Sequence, residues 1–166
     1  MVLFGYPMPI TRSTTIIPKK KTFTTPFLQP DYQSRIDEFQ VNTLAVSPQN
    51  VAWVGFANGN VFLLDLKTGK ERFFKRIQKA KEGIRAERNM VAGFAWEKPG
   101  VVYIGSEWGA LQKFEYNPET YEITDSTQWM PSNPTDPNRL PGGTVISLQF
   151  DDQSRLWVSS TSGVGF

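Results

Sequence analysis

The sequence contains no cysteine and no histidine among its 166 residues. Without cysteine, the chain forms no disulfide and offers neither a thiolate nucleophile nor a zinc–thiolate site. Without histidine, it lacks the side chain that most often serves as a general base, proton shuttle or metal ligand near neutral pH. These two absences argue against metal-dependent and triad catalysis, and we expect no metal site and no cofactor.

Long apolar runs are also missing. No stretch approaches the roughly 18 apolar residues needed to span a bilayer, so we expect no membrane span. The first ten residues lack the basic start, the long apolar stretch and the cleavage site of a secretion signal. The formal net charge of +2 is too small to indicate a nucleic-acid partner, which we therefore consider unlikely.

A stretch of about 20 residues occurs three times, and each copy has an aromatic anchor residue. Every copy has apolar residues nine and seven places before its anchor, and a glycine six places after it. The anchors are Trp53, Tyr103 and Trp157, and the glycines are Gly59, Gly109 and Gly163.

Each copy has period-two apolar alternation on both sides of a short polar turn, which predicts two strands of a hairpin. The glycine predicts a second reversal into a third strand, and a fourth strand is expected near 71–77 and 121–127. The composition, 39% hydrophobic and 13% aromatic, favours such a packed β fold over disorder. The sequence thus predicts an all-β fold, a partial β-propeller of about two and a half to three four-stranded antiparallel blades with an extended N-terminal arm.

The first 38 residues differ from the rest, because they are rich in proline and threonine. We expect them to form an extended arm or edge strand, and alternatively a strand that closes the last blade. The blades are predicted at 39–77, 89–127 and 144–166, the third being incomplete. We expect the anchors Trp53 and Trp157, together with Trp96, to be buried in the core.

The third copy and its preceding loop resemble a known family. The run DPNRLPGGTVISL at 136–148, followed by Asp151, by RLWV at 155–158 and by Gly163, is similar to the two-component regulator propeller repeat. The resemblance covers roughly residues 40–166. It implies a sensor-type propeller, and such domains are usually extracellular or periplasmic.

In a propeller, the turns after the second strands and the connectors between blades share one face. A ligand or protein partner would be recognised there, Trp108 stacking on it and Glu107 or Asn58 accepting hydrogen bonds. Trp108 could instead fold over the neighbouring blade. The candidate contact residues are Asn58, Arg88, Asn89, Glu107, Trp108 and Thr161.

The segment 67–88 holds nine of the 18 basic residues and three acidic ones. It is either a solvated connector or a contact for an anion, an acidic partner or RNA. The candidate contact patch consists of Lys75, Arg76, Lys79, Lys81 and Arg85.

Three functions are compatible with these patterns. The first is a non-enzymatic recognition or scaffolding subunit, whose propeller is completed by identical subunits, by other chains or by further sequence. The second is the ligand-binding part of a sensor, with a small ligand such as a carbohydrate. Catalysis is the weakest, because the acidic pair Asp151 and Asp152 is expected on the opposite side of its blade from Glu107.

Overall fold

The described residues form three antiparallel sheets. We describe residues 40–74, 90–107, 110–129, 140 and 142–166 of a computed structural model, and all regular structure in them is β-strand. Sheet 1 contains β1 (Val41–Val46), β2 (Val51–Phe56), β3 (Val61–Asp65) and β4 (Glu71–Phe74). Sheet 2 contains β5 (Val91–Lys98), β6 (Val101–Ser106), β7 (Leu111–Tyr116) and β8 (Ile123–Trp129). Sheet 3 contains β9 (Val145–Phe150), β10 (Leu156–Ser160) and β11 (Gly163–Gly165).

The register is the same around each anchor. The residue eight places before the anchor pairs with it in every sheet: Ala45 with Trp53, Ala95 with Tyr103, and Gln149 with Trp157. The strands also follow chain order across each sheet, as in a meander. The predicted all-β fold of two four-stranded units and a shorter third is therefore confirmed. The predicted N-terminal arm lies outside the described residues.

The sheets pack face to face in chain order. One core lies between sheets 1 and 2, where the Trp53 ring contacts Phe94, Trp96 and Tyr116 at centroid distances of 5.7, 5.9 and 5.3 Å. A second core lies between sheets 2 and 3, where Tyr103 meets Phe150 edge to face at 5.4 Å. Each sheet therefore buries an apolar face against its neighbour.

Two glycines let the first strand of the next sheet approach closely. A Cβ atom on Gly55 would lie 2.5 Å from Cγ1 of Val91, and one on Gly105 would lie 2.5 Å from Cγ1 of Val145. Both glycines stand two places after their anchor. At this position sheet 3 has Ser159.

Residues at the β3–β4 end of sheet 1 form hydrogen bonds with the β7–β8 turn of sheet 2. The Tyr121 hydroxyl donates to Oδ2 of Asp65 at 2.9 Å, and Lys70 Nζ donates to the carbonyl of Glu119 at 2.8 Å. Arg72 Nε adds a 3.2 Å bond to the carbonyl of Thr120. These bonds join the β3–β4 end of sheet 1 to the β7–β8 turn of sheet 2.

One core prediction is wrong. Trp53 is 2% exposed, and Trp96 is half-buried against the same core, but Trp157 is 37% exposed. Leu156 and Val158 point toward sheet 2, so Trp157 points to the other face of sheet 3. No described strand covers that face.

Candidate functional site

The candidate site lies where the second strand of each sheet ends and the first begins. In all three sheets, the backbone N–H four places after the anchor donates to the carbonyl thirteen places before it. The pairs are Ala57 to Gln40 at 2.9 Å, Glu107 to Met90 at 3.1 Å, and Thr161 to Thr144 at 3.0 Å. We call this side of the three sheets the turn edge.

In sheet 1, the turn edge is formed by a glycine-containing reversal. Gly59 has a φ of 82°, a left-handed conformation that glycine adopts at little cost, and its N–H donates to the Phe56 carbonyl at 3.2 Å. The Asn58 side-chain oxygen accepts the N–H of Asn60 at 3.1 Å. Asn58 is therefore held at the tip of the turn and is half-buried.

In sheet 2, a buried serine supports the turn. Ser106 is fully buried, and its hydroxyl and N–H both donate to the Ala110 carbonyl, at 3.3 and 3.0 Å. The next residue is Glu107, whose carboxylate makes no hydrogen bond or ion pair with the described residues. The turn therefore presents an acceptor at this edge.

In sheet 3, a buried serine also supports the turn. The Ser160 hydroxyl donates to the Gly163 carbonyl at 3.2 Å, and Oγ1 of Thr161 accepts the N–H of Thr144 at 3.1 Å. Glu107 and Thr161 thus occupy matching positions, four places after their anchors, and Asn58 stands five places after Trp53 in the same kind of turn. The other candidates, Arg88, Asn89 and Trp108, lie outside the described residues, as do Lys75, Arg76, Lys79, Lys81 and Arg85 of the basic patch.

The acidic turn of sheet 3 lies at the opposite edge of its sheet. The Asp151 carboxylate accepts bonds from Nε1 of Trp157 at 2.8 Å and from Nε of Arg155 at 2.7 Å. These bonds, with the backbone N–H of Arg155, hold the pKa of Asp151 below its usual range. Asp151 is therefore part of the hairpin, and the fold does not bring it to Glu107.

Sequence reasoning missed one regularity at this edge. An acidic residue stands six places before the anchor in sheets 2 and 3, and it accepts a bond from the anchor ring: Glu97 from the Tyr103 hydroxyl at 3.2 Å, and Asp151 from Trp157. Sheet 1 has Ser47 there, and the indole N–H of Trp53 has no acceptor in the described part of the chain. The signal was visible as Glu97 and Asp151 at equal offsets.

The Asp65–Tyr121 contact makes a pH prediction. The backbone N–H of Lys67, that of Thr68 and the Tyr121 hydroxyl lower the pKa of Asp65 from 3.8 to about 2. A depressed folded-state pKa stabilises the fold above the unfolded value, so this contribution is lost as pH falls from about 4 to about 2. We expect the thermal midpoint of Asp65→Asn to fall less steeply than that of the unchanged chain as pH drops from about 4 to about 2. An unchanged pH slope would contradict this role of Asp65.

The described ranges lack both a cluster of metal-ligating side chains and a membrane-spanning helix. They contain no group of three or more acidic side chains that could hold a metal ion. They also contain no helix long and apolar enough to cross a bilayer.

Comparison with solved structures decides the fold. The chain is 18% identical, with a TM-score of 0.55 over 75% of its length, to a domain described as the extracellular domain of the hybrid two component system BT4673 from B. thetaiotaomicron. It is 11% identical to the RRP9 WD40 repeats (TM-score 0.53, 75% of this chain) and 16% identical to Sqt1 of Saccharomyces cerevisiae (TM-score 0.53, 81% of this chain).

The chain has a propeller-like fold. Its three sheets are blades of a partial propeller, and they span 14%, 33% and 37% of the lengths of these three chains. No protein-family model and no curated protein matches the sequence.

Proposed function

We propose that this chain is a non-enzymatic recognition or scaffolding subunit that binds its partners at the turn edge. In this proposal, residues 1–38 are an arm or closing strand, and residues 39–166 are the blades. Other chains or further sequence complete the propeller. Ligand recognition at such an edge needs no catalytic group, and propellers of about four to eight blades gather their turns around one axis.

The observation that carries the proposal is the threefold match of the turn edge. The same backbone bond closes it in every blade, and buried serines fix it in blades 2 and 3. A site built on such supported turns keeps its geometry, as recognition requires. Different side chains stand on this constant frame, namely Asn58, Glu107 and Thr161, so the frame is shared while the contact chemistry varies.

Catalysis is disfavoured by the placement of the acids. General acid–base chemistry needs two groups within reach of one substrate. Asp151 is committed to Trp157 and Arg155 at the edge opposite the turn edge. The described residues therefore do not pair Glu107 with Asp151 as acid and base.

A second candidate is the ligand-binding part of an extracellular sensor of the two-component regulator propeller type. The likeness to an extracellular domain of a two component system supports it at the level of fold. The ligand would then be a small molecule, such as a sugar, with Trp108 as a stacking platform and Glu107 as hydrogen-bond acceptor.

The test compares two charge reversals in the full chain. Glu107→Lys changes the turn edge, while Asp152→Lys changes an exposed acid in the opposite hairpin turn and is the matched control. We expect Glu107→Lys to weaken binding about tenfold or more, since a central contact contributes over 1 kcal/mol. The readouts are quantitative partner capture and a sugar panel followed by Trp fluorescence.

The two readouts separate the candidates. Loss of protein partners in Glu107→Lys but not in Asp152→Lys supports the recognition subunit. A saccharide response that is lost in Glu107→Lys and Trp108→Ala supports the sensor. Equal binding by both charge variants in both assays would contradict a turn-edge site.

A further inference from the structure

The face of sheet 3 that points away from sheet 2 carries an exposed cluster of large apolar side chains. Trp157, Val164 and Phe166 are 37%, 67% and 76% exposed. The Trp157 and Phe166 rings lie 4.8 Å apart, and the Arg155 guanidinium lies 5.7 and 5.3 Å from their centroids. This ordered aromatic pair lies on the side of the sheet that carries the anchor. We call it the anchor face of sheet 3.

The two interfaces inside the chain show what covers an anchor face. The anchor Trp53 of sheet 1 is covered by Trp96, and the anchor Tyr103 of sheet 2 by Phe150. Trp96 and Phe150 both stand seven places before the next anchor, at the end of a first strand. In both interfaces, the first strand of the incoming sheet packs against the first two strands of the preceding one. The same kind of strand would fit over Trp157.

The chain itself exposes such a strand. Val41, Leu44 and Val46 of β1 are 57%, 63% and 53% exposed. They stand twelve, nine and seven places before Trp53. Their equivalents in β5 and β9 pack on the preceding sheet: Val91, Phe94 and Trp96 in β5, and Val145, Leu148 and Phe150 in β9. Val54 and Phe62, on the same face of sheet 1 as Leu44, are already buried, so β1 carries the free part of this face.

We propose that a second copy of this chain docks its β1 on β9 and β10 of the first copy. This inference rests on the proposed function and names the partner that completes the propeller. The contact is head to tail, because it joins two different surfaces of the chain. Two copies joined by two such contacts form a ring of six blades, which lies within the usual range of about four to eight.

Ser159 predicts the strength of this contact. In the two internal interfaces, a glycine two places after the anchor lies against Val91 or Val145. In the proposed interface, Ser159 would lie against Val41 of the second copy. Because a Cβ at the internal position would lie 2.5 Å from a valine methyl carbon, the serine keeps the second copy from the closest approach. The pair is therefore expected to be weaker than the internal interfaces.

The experiment is analytical ultracentrifugation of the 166-residue chain over a range of concentrations. We expect a reversible monomer–dimer equilibrium. Leu44→Lys and Trp157→Lys should each raise the dissociation constant about 30-fold or more, as for a central aromatic contact. Ser159→Gly should lower it about tenfold. The matched control is Ile123→Lys in β8, because Ile123 is 37% exposed but lies outside both docking faces.

A mixing test distinguishes head-to-tail docking from a symmetric contact. Leu44→Lys and Trp157→Lys are each expected to be monomeric, while their equimolar mixture regains a dimer through its one intact interface. Three outcomes overturn the proposal: a monomer at all concentrations, an open-ended polymer, or a dimer whose dissociation constant does not change in Ser159→Gly. If such a monomer keeps its Glu107-dependent partner binding, the proposed function stands without the second copy. If a dimer persists without that binding, the proposed function fails alone.

Discussion

Replacing Trp53 by alanine is expected to lower the free energy of unfolding by about 3–5 kcal/mol, which is typical of a buried large aromatic. Trp53 is 2% exposed, and its ring contacts Phe94, Trp96 and Tyr116 of the next sheet. Alanine would leave a cavity between sheets 1 and 2. Since a small domain is stable by only about 5–15 kcal/mol, much of the chain should be unfolded at moderate denaturant. Urea unfolding followed by circular dichroism measures this loss.

Two variants control for the loss of any indole. Trp53→Phe keeps a ring in the core and removes a buried N–H that has no acceptor in the described residues, so we expect less than half the loss of Trp53→Ala. Trp157→Ala removes the equivalent anchor of sheet 3 from an exposed face, and it should change the stability of the monomer far less. Equal losses for Trp53→Ala and Trp157→Ala would show that Trp53 is not a core residue.

Gly105→Ala is expected to destabilise the fold by about 1–3 kcal/mol through overpacking. The added Cβ would lie 2.5 Å from Cγ1 of Val145 and 3.3 Å from Cδ1 of Leu148. The first strand of sheet 3 would have to move away from sheet 2. The measurement is the free energy of unfolding in urea.

Gly93→Ala is the matched control, because Gly93 lies on a strand of the same sheet and a Cβ there would meet nothing within 4 Å. We expect Gly93→Ala to be neutral or slightly stabilising, since alanine restricts the unfolded chain more than glycine does. If Gly105→Ala is equally neutral, the two sheets do not approach at this point.

The register of each sheet could be predicted because it depends on a local pattern. The side-chain period of a strand is two, so apolar residues seven and nine places before an anchor specify the face that they share. The pairing of Ala45 with Trp53 recurs with Ala95 and Tyr103 and with Gln149 and Trp157. Because the same spacing occurs in three repeats, it indicates the hairpin formed by the first two strands of each sheet.

Contacts between the three sequence repeats were harder to predict. Trp157 matches Trp53 in sequence but differs in exposure, because burial depends on the sheet that covers the face and not on the strand itself. The Asp65–Tyr121 bond joins residues 56 positions apart, and no local pattern indicates it. Asn50 and Ser154 adopt positive φ values of 62° and 60° at the position where sheet 2 has Gly100, which the residue types alone did not indicate.

The turns that carry the candidate residues could be predicted, and the binding site itself stays a proposal. The glycine six places after the anchor placed Asn58, Glu107 and Thr161 near one kind of turn, and the structure holds those turns with equivalent bonds. The use of the side chains was not predictable. Oxygens of Asn58 and Thr161 accept hydrogen bonds from backbone N–H groups, whereas the Glu107 carboxylate accepts none from the described residues.

The most direct test of the stacked repeats is a double-mutant cycle between Gly105 of the second repeat and Val145 of the third. A Cβ atom on Gly105 would lie 2.5 Å from Cγ1 of Val145. Val145→Ala makes room for the Cβ of Gly105→Ala. We predict that the double variant loses less unfolding free energy than the sum of the two single losses, with a coupling of about 1 kcal/mol or more. Losses that add within about 0.5 kcal/mol would contradict face-to-face packing of the second and third repeats.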